Sequence, residues 1–502
     1  MSFLVIDANT HFGFLPHRDT DVSVDRLLAS MKELGVASAL TYSLKGVSYD
    51  ASEGNDETYA VTRANPKLRP VATVDPRRHI GVVEEIEKRK EQGFVALRLF
   101  PEVQGWSINS ALTKPIILTL ARLHMPLIVS GAGSGTPTNV LRAVENAEIP
   151  VILTGVGYFN LAEALEVCKE HSSVYLEAQI IDPPDSLRVA VDAVGAERIV
   201  FGSNHPSCSM RASLNLIAES GLSNREKSLI FSGNVRRIFS RVKFPEDTLL
   251  SLDMPFQGIP VIDIHGHWGK WPFPMRGTGV DFTLDLMKSR GISKCILSSS
   301  YAIVYDFVDG NEQMAQAIEG HSELLGYVTV NPNYYEASCK ELEKYAKKPN
   351  FVGAKIHPGY CKVPINAPKT KLLVRKVQEY GLPLLIHTYG AGGPAQAAEL
   401  ARECPACPII MGHGGADAWR EAAEFARDVK NLYMEFCCSV LETGKVRRSI
   451  EIAGADKVMF GSDIDLLHPG FIAGVYEEAG LTQEEKEKVL YKNASAVFGI
   501  QP

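Results

Sequence analysis

Short apolar, β-branched runs alternate along this chain with longer stretches whose apolar positions recur at helical spacing, and the whole alternation is carried through twice. That pattern predicts parallel strands joined by crossover helices. Strands are expected at 4–7, 37–42, 71–74, 95–99, 127–130, 151–154, 174–177 and 199–202 in the first half. In the second they are expected at 261–264, 294–298, 326–330, 352–356, 384–387, 409–412, 432–435 and 458–461. Eight strands with helices between them close most naturally into a barrel, so the predicted fold class is α/β, with two tandem (β/α)8 TIM-like barrels. An open doubly wound sheet is the other arrangement, and it accounts less well for a count of eight.

The halves are copies of each other. Val261-Ile-Asp263-Ile-His265-Gly-His267 answers to Val5-Ile-Asp7-Ala-Asn9-Thr-His11, and Phe460-Gly-Ser-Asp463 answers to Phe201-Gly-Ser-Asn204. A repeat this long is a duplicated domain, because solenoid units run to roughly 20–50 residues. The domains are set at 1–242 and 261–502. The linker at 243–260 is marked by Pro245, Pro255, Gly258 and Pro260. Asn234 and Asn493 fall at equivalent points of the two closing helices.

Composition narrows the function. A net charge of -7 over 502 residues, with no long Lys/Arg run, argues against a dedicated nucleic-acid or membrane-surface protein and favours a small-molecule partner, anions included. No stretch is long and apolar enough to span a membrane, and a strand directly after Met1 leaves no room for a leader. With nine scattered cysteines the expectation is free thiols and a cytoplasmic location. Cys404-Pro-Ala-Cys407 has redox or zinc spacing without a second pair at matching spacing. Cys437-Cys438, on a predicted strand, reads as packing.

The second copy concentrates its histidines. Residues two apart on a strand face the same way, so His265 and His267 can present both imidazoles to one ion. His387 ends the fifth strand, His413 follows the sixth and Asp463 the eighth, all at the end of a barrel where active sites form. Such a set suits a divalent metal, Zn²⁺ first, with Mn²⁺, Fe²⁺ and Co²⁺ compatible. The second copy holds seven histidines, four of them at strand ends, whereas the first holds six and only His11 there. In register, Asn9, Arg98, Ser130, Gly155 and Asn204 replace His265, Lys355, His387, His413 and Asp463, so the first copy is expected to have no tight zinc site.

These pieces, with Ala354-Lys-Ile-His-Pro358, Leu385-Ile-His387, Met411-Gly-His413-Gly-Gly and the closing Asn493-Ala494, resemble the amidohydrolase superfamily. The likeness is closer to the amidohydrolase-2 family, which includes the aminocarboxymuconate-semialdehyde decarboxylase group. It implies that His265, His267, His387 and Asp463 bind the metal, while His413 acts on the metal's water or on the substrate. It also implies that the two copies pack as an internal dimer; a further homo-oligomer stays open. Some amidohydrolases carry a carboxylated lysine bridging two metals at the position of Lys355, but Arg98 in the first copy favours a plain cation there.

A metal lowers the pKa of its water to about 7, and a nearby His or Asp then serves as general base, His413 first and Asp463 as the alternative. Lys270, Trp271, Tyr301 and His357 are candidate substrate contacts. Glu435, matched by Glu177, reads as structural, and the Gly390/Gly392 loop as a turn into a helix. The leading function is hydrolysis of a small amide, ester or lactone. The alternatives are nonoxidative decarboxylation on the same metal and a vestigial binding or scaffold protein.

Overall fold

The computed structural model describes residues 3–253 and 256–502. They form two compact units, Met1–Asp253 with Phe273–Arg276, and Met254–Pro272 with Gly277–Pro502. In the first unit β1 (Ile6–Phe12), β2 (Ser38–Ser43), β3 (Leu68–Thr73), β4 (Ala96–Leu99), β5 (Leu127–Ser130), β6 (Val151–Thr154), β7 (Val174–Glu177) and β8 (Ile199–Val200) pair side by side in chain order. Ala8 N donates to Phe201 O at 3.0 Å and His11 N to His205 O at 3.1 Å, which brings the last strand back onto the first. The fold is the expected α/β barrel, strand for strand.

The second unit repeats it with β9 (Val261–Trp268), β10 (Ile292–Ser299), β11 (Leu324–Thr329), β12 (Phe351–Ile356), β13 (Leu384–Tyr389), β14 (Ile409–Gly415) and β15 (Leu432–Met434). The eighth strand, expected at 458–461, is not regular. Met459 N donates to Met434 O at 3.0 Å, but Phe460 N turns to Val489 O at 2.9 Å while Phe460 O receives Ile264 N at 3.1 Å. In the first unit Ala178 N donates to Val200 O at 3.0 Å, but here the equivalent Phe436 N donates to Tyr476 Oη at 2.9 Å and that hydroxyl donates to Met459 O at 3.1 Å, so a side chain replaces the next rung and no ladder forms.

Inward side chains fill each barrel. Ile262, Ile264, Ile296, Tyr327, Leu385 and Ile410 pack with Ala494 and Phe498 of the closing helix. Val235 and Phe239 do the same in the first unit. Each closing helix begins with a π turn, Leu229–Gly233 or Lys488–Lys492. The next residue is the paired asparagine. Asn234 Nδ2 donates to Ala196 O at 2.8 Å and Ile199 O at 2.7 Å, and Asn493 Nδ2 to Ala455 O at 2.7 Å and Val458 O at 2.8 Å. A buried amide thus satisfies two backbone carbonyls at the entry to the eighth strand in both copies.

One local irregularity bears directly on the site. In each unit the first strand spends one residue more than its neighbour, between Asp7 and Thr10 and again between Asp263 and Gly266. Such a bulge re-aims the side chains around it. In the second unit the packing around the bulge leaves space only for Gly266, since a Cβ would stand 2.6 Å from Leu297 Cδ2 and 2.7 Å from Cys295 Sγ, whereas Thr10 takes this place in the first.

Part of the expected linker is fixed. Leu250 N donates to Phe3 O at 2.8 Å and Ser251 N to Leu34 O at 3.1 Å. Pro255 lies outside the described residues. No helix among the described residues is long and apolar enough to cross a membrane.

Candidate metal centre

At the end of β9 the imidazoles of His265 and His267 converge with the Asp463 carboxylate. Their ligand atoms lie within 4.8 Å of one another, and all three residues are buried. His267 Nε2 stands 2.8 Å from Asp463 Oδ1, and His265 Nε2 stands 3.7 Å from it. The opposite ring nitrogens are taken. His265 Nδ1 meets Glu435 Oε1 at 2.8 Å and His267 Nδ1 meets Ser298 Oγ at 3.0 Å, which turns both Nε2 atoms toward Asp463. Lys355 Nζ donates to His265 Nε2 at 2.8 Å, consistent with the proton of that ring lying on Nδ1.

The electrostatics prepare a cation site. Burial lowers His265 well below the ordinary imidazole value, with the Lys355 charge adding to it, and burial likewise lowers His267. Burial opposes ionisation of Asp463, but His267, and then His265 and His413, outweigh it and hold the carboxyl below its usual range. Burial also brings Lys355 down to about 8 against the pull of Asp463 and Glu435. Asp463 Oδ1 is buried and makes no hydrogen bond, although His267 Nε2 is beside it. Lone pairs facing one another at this distance fit a divalent cation, and the donors are already deprotonated for it.

Around this triad the remaining rings form a wall. His413 lies 4.9 Å from His265 and 4.5 Å from His387 between ring centroids, and His387 stacks on His357 at 4.0 Å and 22°. Burial lowers His387, then His413 and His357 lower it further; burial takes His357 to about 2. His413 Nδ1 donates to Cys437 O, and its backbone N–H donates to Glu435 Oε1 at 2.5 Å. His413 and Asp463 both adopt left-handed backbone, φ 67 and φ 62, a conformation that costs energy outside glycine and is held here by the surrounding bonds.

The first unit keeps the frame of this site without its ligands. Asp7 Oδ1 accepts from Asn9 N at 2.9 Å and Ser203 N at 3.1 Å, as Asp263 Oδ1 accepts from His265 N at 3.1 Å and Ser462 N at 3.0 Å. In both copies this aspartate ties the first strand to the closing segment. Asn9 then fills the place of His265: its Nδ2 donates to Glu177 Oε1 at 2.8 Å, and its Oδ1 accepts from Arg98. Gly155 and Asn204 retain the left-handed backbone of His413 and Asp463, at φ 69 and φ 54.

The site also gathers residues that the sequence left aside. Glu435, read as structural, is the carboxylate that orients His265 and His413. A glycine makes room for it, since a Cβ on Gly461 would stand 2.9 Å from Glu435 Oε2. Cys437 lies beyond β15 in irregular backbone, not on a strand, and its Sγ is 3.2 Å from His265 Nδ1. The one sequence signal for Glu435 is its match to Glu177, whose reason is the Asn9 amide.

The other candidates separate. Trp271 meets His267 edge-on at 5.2 Å. Lys270 is exposed, with its carbonyl accepting from Ser300 Oγ at 3.0 Å, and the Tyr301 ring packs on Tyr305 at 5.4 Å. Cys404 and Cys407 are buried free thiols whose carbonyls accept from Asn431 Nδ2 at 3.0 and 2.8 Å. The Gly390/Gly392 turn leads into the helix Gly393–Glu403, where Glu421 accepts from Gly392 N at 3.3 Å.

The Amidohydrolase family model matches residues 6–241 and a second time 262–500. The chain belongs to the amidohydrolase-2 family, with the domain present in two tandem copies. No curated protein sequence matches it. Among solved structures it is similar to 5-carboxyvanillate decarboxylase from Sphingomonas paucimobilis, at 17% identity over 49% of this chain and 100% of that one, TM-score 0.42. It is also similar to 2,6-dihydroxybenzoate decarboxylase from Rhizobium, at 17% identity over 48% and 99%, TM-score 0.40. A third is dihydroxybenzoic acid decarboxylase from a Polaromonas species, with bound manganese and the inhibitor 2-nitroresorcinol, at 18% identity over 48% and 97%, TM-score 0.40.

Proposed function

We propose that the second barrel hydrolyses a small amide, ester or lactone with the help of one divalent metal, zinc first among the candidates. His265, His267 and Asp463 would hold it, with His387 as the fourth ligand. When bound, such an ion supplies Lewis acidity toward a carbonyl oxygen and toward water. The observation that carries the reading is the convergence of two imidazole nitrogens and one carboxylate oxygen, both imidazoles being oriented by a second buried group.

The protein's own residues supply the proton chemistry. His413 Nδ1–H donates a hydrogen bond to the Cys437 carbonyl, so Nε2 keeps its lone pair and can take a proton from a water attacking the acyl carbon. The same proton can then pass to the leaving group. Asp463 is the alternative carrier. Lys355, fully buried and cationic, offers charge to a developing oxyanion, while Trp271 and His357 flank the ligands as pocket walls.

Decarboxylation is the second reading, and the buried Lys355 ammonium favours it, because a substrate carboxylate would find a cation beside the ligands. One screen separates the two. Lactones, esters and amides are offered beside aromatic and muconate-type carboxylic acids, with acid release and CO₂ followed separately and His413→Ala as control. Acyl hydrolysis that His413→Ala abolishes is expected. CO₂ release that depends on His413, with no acyl compound turned over, would replace hydrolysis by decarboxylation.

A further inference from the structure

The first barrel has lost the metal ligands but has put an arginine where the second has Lys355. Arg98 is 8% exposed at the end of β4. A guanidinium carries five N–H groups, and most of these lack partners. Nη1 donates to Asn9 Oδ1, Nη2 reaches Thr154 Oγ1 only at 3.5 Å, and Nε is buried with no hydrogen bond. Among the described residues no carboxylate pairs with Arg98 directly; Glu177 is reached through the Asn9 amide. The rings of Tyr42 and Phe100, 4.9 and 5.2 Å from the guanidinium carbon, pack against the group. The edge bearing Nε and Nη2 is left for a ligand.

A second buried donor stands next to it. His11 Nε2 meets Ser207 Oγ at 2.7 Å, and His11 Nδ1 is buried without a partner. The cause lies in the pairing register. His267 faces Ser298, which serves its Nδ1, whereas His11 faces Tyr42. Burial, and then the Arg98 charge, bring His11 down to about 3, so this imidazole is neutral at ordinary pH and Arg98 is the cation of the pair. Room exists beside them. Ser130 and Gly155 stand where the second copy has two imidazoles, and a Cβ built on Gly155 would meet only Ala132 Cβ, at 3.6 Å.

We propose that the mouth of the first barrel is a binding site for a small organic monocarboxylate, held by the Nε–Nη2 edge of Arg98 with His11 Nδ1 as a further donor. One planar fork matches one carboxylate in two parallel hydrogen bonds. With Glu177 already balancing part of the charge, the fit is to a monoanion and not to a phosphate. Leaving such donors buried and unpaired is costly, and a bound carboxylate removes that cost.

The test uses the full chain, stripped of metal with a chelator, titrated calorimetrically with benzoate and with acetate. Wild type should bind at least one of the two saturably. Arg98→Met should weaken binding by roughly tenfold or more, and Arg98→Lys, which keeps the charge and loses the fork, by roughly threefold or more. Lys355→Met, which removes the buried cation of the other barrel, should leave the Arg98-dependent binding in place. If Arg98→Met fails to fold by circular dichroism, Arg98→Lys decides. No saturable binding of either acid, undiminished binding in Arg98→Lys, or binding abolished by Lys355→Met would overturn the proposal.

Discussion

Glu435 accepts from His265 Nδ1 at 2.8 Å, and the same separation recurs in the first barrel between Glu177 and the Nδ2 of Asn9. The carboxylate therefore does the same geometric job in both copies, holding a side chain across the barrel mouth, and only the held side chain differs. An imidazole so held offers its far nitrogen to a metal. An amide so held offers its oxygen to Arg98. The two copies differ in these side chains on an unchanged frame.

Purified protein should carry about one transition-metal ion per chain, since the three converging donors with His387 or water in the fourth place fill one zinc shell. Elemental analysis of His265→Ala combined with His387→Ala should show the ion gone. Asn9→Ala combined with Asn204→Ala should retain it. Equal loss from both would remove the site from the second barrel.

Replacing Glu435 by Gln should loosen the metal by roughly 10- to 100-fold, because it disturbs the group that fixes the His265 tautomer and ring. A competing chelator measures this. Glu177→Gln should leave the metal affinity unchanged, and an unaltered affinity in Glu435→Gln would mean that the carboxylate does not orient the ligand.

Gly266→Ala should destabilise the fold by about 1–3 kcal/mol, the usual cost of forcing an atom into a packed core. The added methyl would press on Leu297 Cδ2 and Cys295 Sγ, both in the barrel wall. Urea denaturation reads the change; an unmoved midpoint would show that the bulge absorbs a side chain freely.

Asp7 should make stability fall with rising pH. Burial lifts its carboxyl from 3.8 to about 7, with the hydrogen bond from Ser203 opposing the rise. Between those values the folded state keeps a proton that the unfolded chain has released, so stability decreases as pH rises across that window and levels off above it. Comparing urea midpoints of wild type and Asp7→Asn from pH 4 to pH 8 isolates the contribution. Parallel profiles would show that this carboxyl titrates alike in both states.

The sequence by itself determined the alternation of strands and helices, the duplication, and the side chains able to bind a metal. Each of these is legible from the chain: short continuous apolar, β-branched runs such as Leu127–Ser130 and Val151–Thr154 between helical segments read as buried strands, and an imidazole at a strand end is a potential ligand in any barrel. Even the contrast between His265 and Asn9 needed only a comparison of the two copies. Tertiary structure alone decided who meets whom. The pairing of His265 with Glu435, the bond from His413 to the Cys437 carbonyl, the unpaired edge of Arg98 and the breaking of the eighth strand by the Tyr476 hydroxyl depend on which strand ends converge when the barrel closes. Those ends are brought together by pairing across many intervening residues, so no local pattern in the chain records their separation.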